Sequence, residues 1–114
     1  MVFKSLIEFD RDLKQLLKRY RTLNNDLEVV KLILRLKPNE RNPFSFRIDS
    51  LGIKTCIIKI KKIASDSLKG RGVNSGLRLV YAYFPMEDKI IFIELYHKSD
   101  QEMEDRERIL KNFD

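Results

Sequence analysis

The chain has 114 residues and a mass of 13.6 kDa, which fits one domain spanning residues 1–114 with a single hydrophobic core. Its hydrophobic share of 43% is ordinary, its charged share of 35% is high, and its formal net charge is +6. A single cysteine excludes an internal disulfide framework, and the sequence contains no signal-like opening and no run of about 20 apolar residues. These features predict a soluble cytoplasmic protein.

The N-terminal third predicts a strand followed by a helical hairpin. Apolar residues recur at three- and four-residue steps in two segments, which is typical of amphipathic helices. Asn25 and Glu28 resemble a capping box for the second helix, and Pro38 follows its end. The predicted elements are a strand within Met1–Phe9, a helix capped by Asp10 and reaching Leu23, and a helix from about Asn25 to Leu36.

The remaining chain predicts strands and a last helix. Pro38–Gly52 is expected to be an irregular connector, and Ala64–Ser75 a loop. Alternating apolar residues predict strands, and few apolar residues in the last helix predict weak, displaceable docking. The predicted elements are strands at Lys54–Ile63, Leu77–Phe84 and Lys89–Tyr96 and a helix at Asp100–Phe113.

The element order β-α-α-β-β-β-α predicts an α+β fold. We expect a small antiparallel sheet with the N-terminal helical hairpin packed on one face, plus a C-terminal helix. The other sheet face is then left for a ligand.

Charge is distributed unevenly along this predicted fold. Seven basic residues and one acidic residue lie between Lys54 and Arg78, whereas six acidic and three basic residues lie between Asp100 and Asp114. A basic middle favours a polyanion-binding face. The structural alternative is a solvated lysine surface without a partner.

The residue types limit which reactions a site in this chain could catalyse. With one histidine and one cysteine, the sequence has no metal-binding motif, and Cys56 alternates with Ile58 and Ile60 like an inert core thiol. Cationic groups with one histidine suit metal-free cleavage of RNA, in which the ribose 2′-hydroxyl is the nucleophile. The candidate catalytic residues are Lys59, Lys61, Arg78 and His97, and the candidate RNA-binding residues are Lys54, Lys62, Lys69, Arg71, Tyr96 and Lys98.

Each candidate has a structural alternative. The structural alternative for Arg78 is an ion pair with Glu94 of a neighbouring strand. The alternative for Lys59 and Lys61 is that they are edge-strand lysines that deter aggregation. A lone histidine at a strand end, such as His97, is commonly a surface residue. The nuclease hypothesis therefore requires the cationic groups and the imidazole to converge on one spot.

Four segments carry a family resemblance: residues 57–61 (IIKIK), 68–72 (LKGRG), 75–81 (SGLRLVY) and 93–100 (IELYHKSD). Together they resemble the RelE/ParE superfamily of bacterial and archaeal toxins, in particular its RelE/HigB-like branch. The resemblance implies the toxin of a type II toxin–antitoxin pair, with a cognate antitoxin as partner in a hetero-oligomer. RelE-like members cut messenger RNA in the ribosomal A site without a metal or other cofactor, and ParE-like members poison DNA gyrase.

The resemblance also assigns roles by position. Lys59 and Lys61 match the family's strand lysines, with proposed base and phosphate roles, and Arg78 matches the arginine that steadies the scissile phosphate. Tyr96, His97 and Lys98 fall where related toxins place catalytic or base-contacting groups. The last helix lacks the functional tyrosine of some RelE members, so Tyr96 would have to replace it. A gyrase inhibitor, an inactive relic that binds only a partner or RNA, and a general RNA-binding protein remain alternatives.

Overall fold

The computed structural model describes residues 1–68 and 70–114 and confirms the α+β class. The strands are β1 (Val2–Ser5), β2 (Ser45–Arg47), β3 (Cys56–Ile60), β4 (Leu77–Phe84) and β5 (Lys89–His97). The helices are α1 (Ile7–Leu17), α2 (Leu23–Leu36) and α3 (Arg106–Phe113). Within the described ranges, no helix is long and apolar enough to cross a membrane.

The five strands form one mixed sheet in the order β1-β5-β4-β3-β2. Neighbouring strands run antiparallel except for β1, which pairs in parallel with β5. The expectation of a purely antiparallel sheet is therefore wrong at one edge. The prediction of an irregular connector at Pro38–Gly52 is also wrong, because this segment contains β2, which extends the sheet at the other edge.

Two helix starts differ from the predicted positions. Helix α1 begins at Ile7, so Asp10 lies in its first turn, where it accepts a hydrogen bond from Ser5 Oγ at 2.7 Å instead of capping the helix. A carboxylate near the N-terminus of a helix is still favourable, because it faces the positive end of the helix dipole. Helix α2 begins at Leu23, before the predicted Asn25 cap.

The C-terminal helix is shorter than the sequence suggests. Helix α3 begins at Arg106, and the side chain of Asp105 caps it by accepting a hydrogen bond from the Arg108 backbone N–H at 3.1 Å. Ile109 is fully buried, and Arg108 Nη1 lies 2.6 Å from Asp12 Oδ2 of α1. These two contacts join α3 to the sheet and to α1, and its weak docking stays a prediction.

The sheet has a hydrophobic core on each face. The face covered by α1 and α2, here called the hairpin face, packs helix residues such as Leu23 and Leu27 against the sheet. The opposite face, here called the tail face, packs Ile109 of α3. Hairpin-face residues of the sheet include Ile58, Leu79, Tyr81 and Leu95, and tail-face residues include Ile57, Val80, Ala82 and Tyr96.

Candidate functional site

Strand register brings two of the predicted catalytic residues, Lys59 and Arg78, to the tail face. Arg78 pairs with Tyr96 across β4 and β5, and Lys59 pairs with Val80 across β3 and β4. Residues that pair directly across antiparallel strands point to the same face. Because Tyr96 and Val80 pack in the tail-face core, Arg78 and Lys59 also lie on that face.

Lys61 lies beside Arg78, one residue beyond the end of β3. The Arg78 guanidinium donates to the Lys61 carbonyl oxygen at 3.0 Å, and the Lys61 ammonium lies 5.3 Å from the centre of the Phe46 ring. Phe46 pairs with Lys59 in the β2–β3 ladder, so its ring also belongs to the tail face. Lys98 follows β5 directly, and its backbone N–H donates to the Gly76 carbonyl at 2.9 Å.

The tail-face residues around Arg78 form what we call the cationic surface. Arg78 is half-buried, and Lys61 and Phe46 are exposed, as is Lys98 in the turn after β5. Among the described residues, no carboxylate lies within ion-pair distance of Arg78 or Lys61. An anionic ligand would therefore meet two cations next to an aromatic ring. The cationic surface consists of Phe46, Lys59, Lys61, Arg78 and Tyr96.

Lys59 differs from its neighbours because a carboxylate neutralises it. Its Nζ lies 2.6 Å from Glu104 Oε1, and the two side chains are only 14% and 5% exposed. Burial raises the pKa of Glu104, but its hydrogen bond with the Lys59 ammonium and their charge attraction lower the pKa by more than burial raises it. The pKa of Glu104 therefore lies below its ordinary value. Burial raises the pKa of the adjacent Tyr96 hydroxyl, and the charge of Lys59 opposes this rise.

Glu104 belongs to a segment that crosses the tail face between β5 and α3, here called the strap (residues 99–105). The buried carboxylate of Glu94 holds the strap by accepting hydrogen bonds from Gln101 Nε2 at 2.7 Å and from the Asp105 N–H at 2.9 Å. Burial raises the pKa of Glu94. Glu94 pairs with Val80 in the sheet, so the alternative in which it pairs with Arg78 is wrong.

His97 does not join the cationic surface. It pairs with Leu77, a hairpin-face core residue, and its ring stacks on Tyr20 with ring centres 5.7 Å apart. Tyr96 and His97 are neighbours in the sequence, but neighbouring residues of a strand point to opposite faces. The convergence that the nuclease hypothesis requires therefore fails, because His97 lies on the opposite face of the sheet from Lys59, Arg78 and Tyr96.

Both ring nitrogens of His97 are occupied. Nε2 lies 2.9 Å from the carbonyl oxygen of Ser75, to which it donates, and Nδ1 accepts from the Ser99 N–H at 3.1 Å. This pattern fits the neutral ring protonated at Nε2. A Cβ added at Gly76 would lie 2.5 Å from Nε2, and Gly76 has a φ of +89°, so only glycine fits here. His97 thus closes the turn that begins β4.

The other candidate RNA-binding residues are dispersed. Lys54 precedes β3 and lies at the opposite end of that strand from Lys61. Lys62 donates to Asn74 Oδ1 at 2.6 Å. Arg71 is exposed in the loop between β3 and β4, and Lys69 lies outside the described residues.

Sequence reasoning missed two members of this region. Phe46 was assigned to an irregular connector, although its alternation with Phe44 and Ile48 was a weak strand signal. Glu104 lies 45 residues from Lys59, and no local pattern marks that pairing. In the part of the chain that the structure describes, no cluster of three or more histidine, cysteine or acidic side chains could hold a metal ion.

Comparison with known proteins gives one informative result. No protein-family model matches the sequence, and no curated protein matches it. Among solved structures, the chain is similar to a copper-bound mutant toxin from Helicobacter pylori, with a TM-score of 0.53 and 19% sequence identity. The match covers 88% of this chain and 97% of that chain. The chain thus has an α+β fold that a bacterial toxin also adopts.

Proposed function

We propose that this chain is a cytoplasmic RelE/ParE-like toxin that cuts messenger RNA on the ribosome and is neutralised by a cognate antitoxin. The observation that carries the proposal is the cationic surface, where Lys61 and Arg78 lie side by side next to the rings of Phe46 and Tyr96. The four sequence segments that resemble the superfamily and the fold shared with a toxin support it.

The arrangement suits a single-stranded RNA backbone. The planar guanidinium of Arg78 can donate two parallel hydrogen bonds to phosphate oxygens, and Lys61 adds a second positive charge. The exposed ring of Phe46 offers a platform on which a base can stack. These contacts hold the scissile phosphate and the adjacent nucleotide, which is the positioning that cleavage by an internal nucleophile needs.

Proton transfer is assigned to Lys61 and solvent, because His97 lies on the hairpin face and Glu104 is only 5% exposed beside Lys59. The 2′-oxygen attacks phosphorus as its proton passes to water, and the bond to the 5′-oxygen breaks as Lys61 donates a proton to that oxygen. The products are a 2′,3′-cyclic phosphate and a free 5′-hydroxyl. Lys61 then recovers a proton from water.

The test compares growth and messenger RNA ends after induction in bacteria. We expect the wild-type chain to arrest growth and to create new 5′ ends within codons, and the Arg78→Ala variant to do neither while keeping its circular dichroism spectrum. The matched control is Arg11→Ala, which removes an exposed arginine from α1. Growth arrest by soluble, folded Arg78→Ala protein would contradict the proposal.

A second candidate is a toxin-like module without nuclease activity, either a ParE-like gyrase inhibitor or an inactive relic. The position of His97 and the neutralisation of Lys59 by Glu104 favour it. A gyrase inhibitor would cause double-strand DNA breaks and no new messenger ends. A general RNA-binding protein would bind naked RNA with a steep salt dependence and without toxicity.

A further inference from the structure

Helix α2 is apolar on two sides. Leu27, Val30 and Leu34 pack into the hairpin-face core. On the opposite side, four large apolar side chains remain exposed at intervals of three and four residues, which gives a continuous apolar stripe two turns long. The stripe consists of Val29, Leu32, Ile33 and Leu36, with exposed fractions of 57%, 63%, 39% and 84%.

We propose that the α2 stripe is an interface with a second copy of this chain, in which the two α2 helices pack antiparallel. Val29, Leu32 and Leu36 follow the alternating three- and four-residue spacing of a coiled-coil seam. Glu28 and Arg35 lie along one flank of the seam. In an antiparallel pair, Glu28 of one copy faces Arg35 of the other, and two-fold symmetry repeats this contact.

The charges on this flank favour a second copy over an acidic partner. Arg35 is exposed, with its guanidinium 5.0 Å from the centre of the Phe3 ring and a long bond of 3.4 Å to the Met1 carbonyl oxygen. Glu28 is exposed, and its contact with Lys31 in its own helix is long, at 3.4 Å. An acidic helix would attract Arg35 but would repel Glu28, whereas the same flank reversed satisfies both.

The size and position of the stripe define the expected dimer. Two helices of 14 residues bury less than the roughly 800 Å² per partner of a standard interface, so a dissociation constant in the micromolar range is expected. Because α2 covers the hairpin face, the dimer leaves the cationic surface of each copy open. The inference therefore does not rest on the proposed function.

Sedimentation velocity over a range of micromolar concentrations tests the interface. We expect the wild-type chain to shift from monomer to dimer and the Leu32→Glu variant to remain monomeric, with at least a ten-fold weaker association. The control is Met86→Glu, which places the same charge at a 97% exposed apolar residue in the turn after β4 and should leave the dimer unchanged. Circular dichroism verifies that each variant is folded.

Charge exchange tests the antiparallel orientation. Glu28→Arg and Arg35→Glu should each weaken the dimer, because like charges then meet at both contacts. Mixing the two variants should restore association, because the mixed dimer again has opposite charges at both contacts. The proposal would be overturned if the wild-type chain stays monomeric or if the Leu32→Glu variant still dimerises. It would also be overturned if the mixed variants associate no more tightly than each variant alone.

Discussion

Removal of the Glu104 carboxylate is the perturbation that the tail face makes most informative. In the Glu104→Ala variant, the Lys59 ammonium keeps a side chain that is only 14% exposed but loses the carboxylate 2.6 Å away. Removing one partner of a buried ion pair typically costs about 3–5 kcal/mol, because the remaining charge is left without compensation. We expect a loss near the lower limit, about 3 kcal/mol, because Lys59 retains some contact with solvent.

Urea unfolding of four chains provides the measurement. Glu104→Ala and Lys59→Met should each lower the unfolding free energy, whereas the double variant Lys59→Met with Glu104→Leu should lie within about 1 kcal/mol of wild type, because it removes both charges of the buried pair. Arg106, whose Nε lies 3.6 Å from Glu104 Oε2, is 40% exposed, so its lost contact is screened by solvent. For a domain of this size, the single variants should also melt roughly 12 °C or more below wild type. If the two single losses simply add in the double variant, the reasoning about the buried pair is wrong.

The same pair predicts a pH dependence. Because the pKa of Glu104 is lowered in the folded chain, its contribution to stability is present above the ordinary carboxyl pKa of about 4.3. That contribution is lost as the pH falls through the folded value. The stability difference between wild type and Glu104→Ala should therefore shrink between about pH 5 and pH 3. A difference that stays constant over this range would contradict the assignment.

Three further predictions concern the surroundings of the site. Gly76→Ala should destabilise the chain by more than the roughly 1–2 kcal/mol typical of a left-handed residue, because its Cβ would also clash with His97. In a double-mutant cycle, adding His97→Ala should recover the part of the lost stability that the clash causes. Ile109→Ala should cost about 2–5 kcal/mol in urea unfolding, because it opens a cavity where a fully buried side chain joins α3 to the sheet. The raised pKa of Glu94 means that protonation of this group favours the folded chain, so wild type should gain stability relative to Glu94→Gln as the pH falls from neutral towards the ordinary carboxyl pKa of about 4.3. The contact between Gly76 and His97 would be contradicted if their effects on stability are additive. An Ile109→Ala loss below about 1 kcal/mol would contradict the buried contact of α3. A stability difference between wild type and Glu94→Gln that does not change with pH would contradict the burial of Glu94.

Local pattern was sufficient for the elements with strong periodicity. The segments that form α1, α2, β3, β4 and β5 were predicted with the right type, because their apolar residues recur at the helical or strand period. The three-residue β2 was missed, since it is short and follows Pro43. The predicted start of α3 is too early because Asp100 and the residues after it have a helix-like composition, whereas Glu94 and Lys59 hold this segment in the irregular strap.

The candidate site was predicted in part, for a geometric reason. Arg78 and Tyr96 share a face because strand register pairs them, which the sequence alone does not fix. His97 was grouped with Tyr96 as a neighbour in the chain, although the two-residue period of a strand already separated them. Glu104 could not have been found from the sequence, because its contact with Lys59 depends on the path of the strap over the tail face.

The parallel pairing of β1 with β5 has a consequence for how the chain is made. Synthesis proceeds at about 5–20 residues per second, so about 4–17 s separate the emergence of Ser5 from that of Lys89. During this time β1 has no hydrogen-bonding neighbour. Helices α1 and α2 also have no sheet to pack against until β4 and β5 have been synthesised. A nascent chain therefore exposes two amphipathic helices and an unpaired strand until nearly all of it has been translated, so co-translational capture by a chaperone or another polypeptide would act on this N-terminal segment.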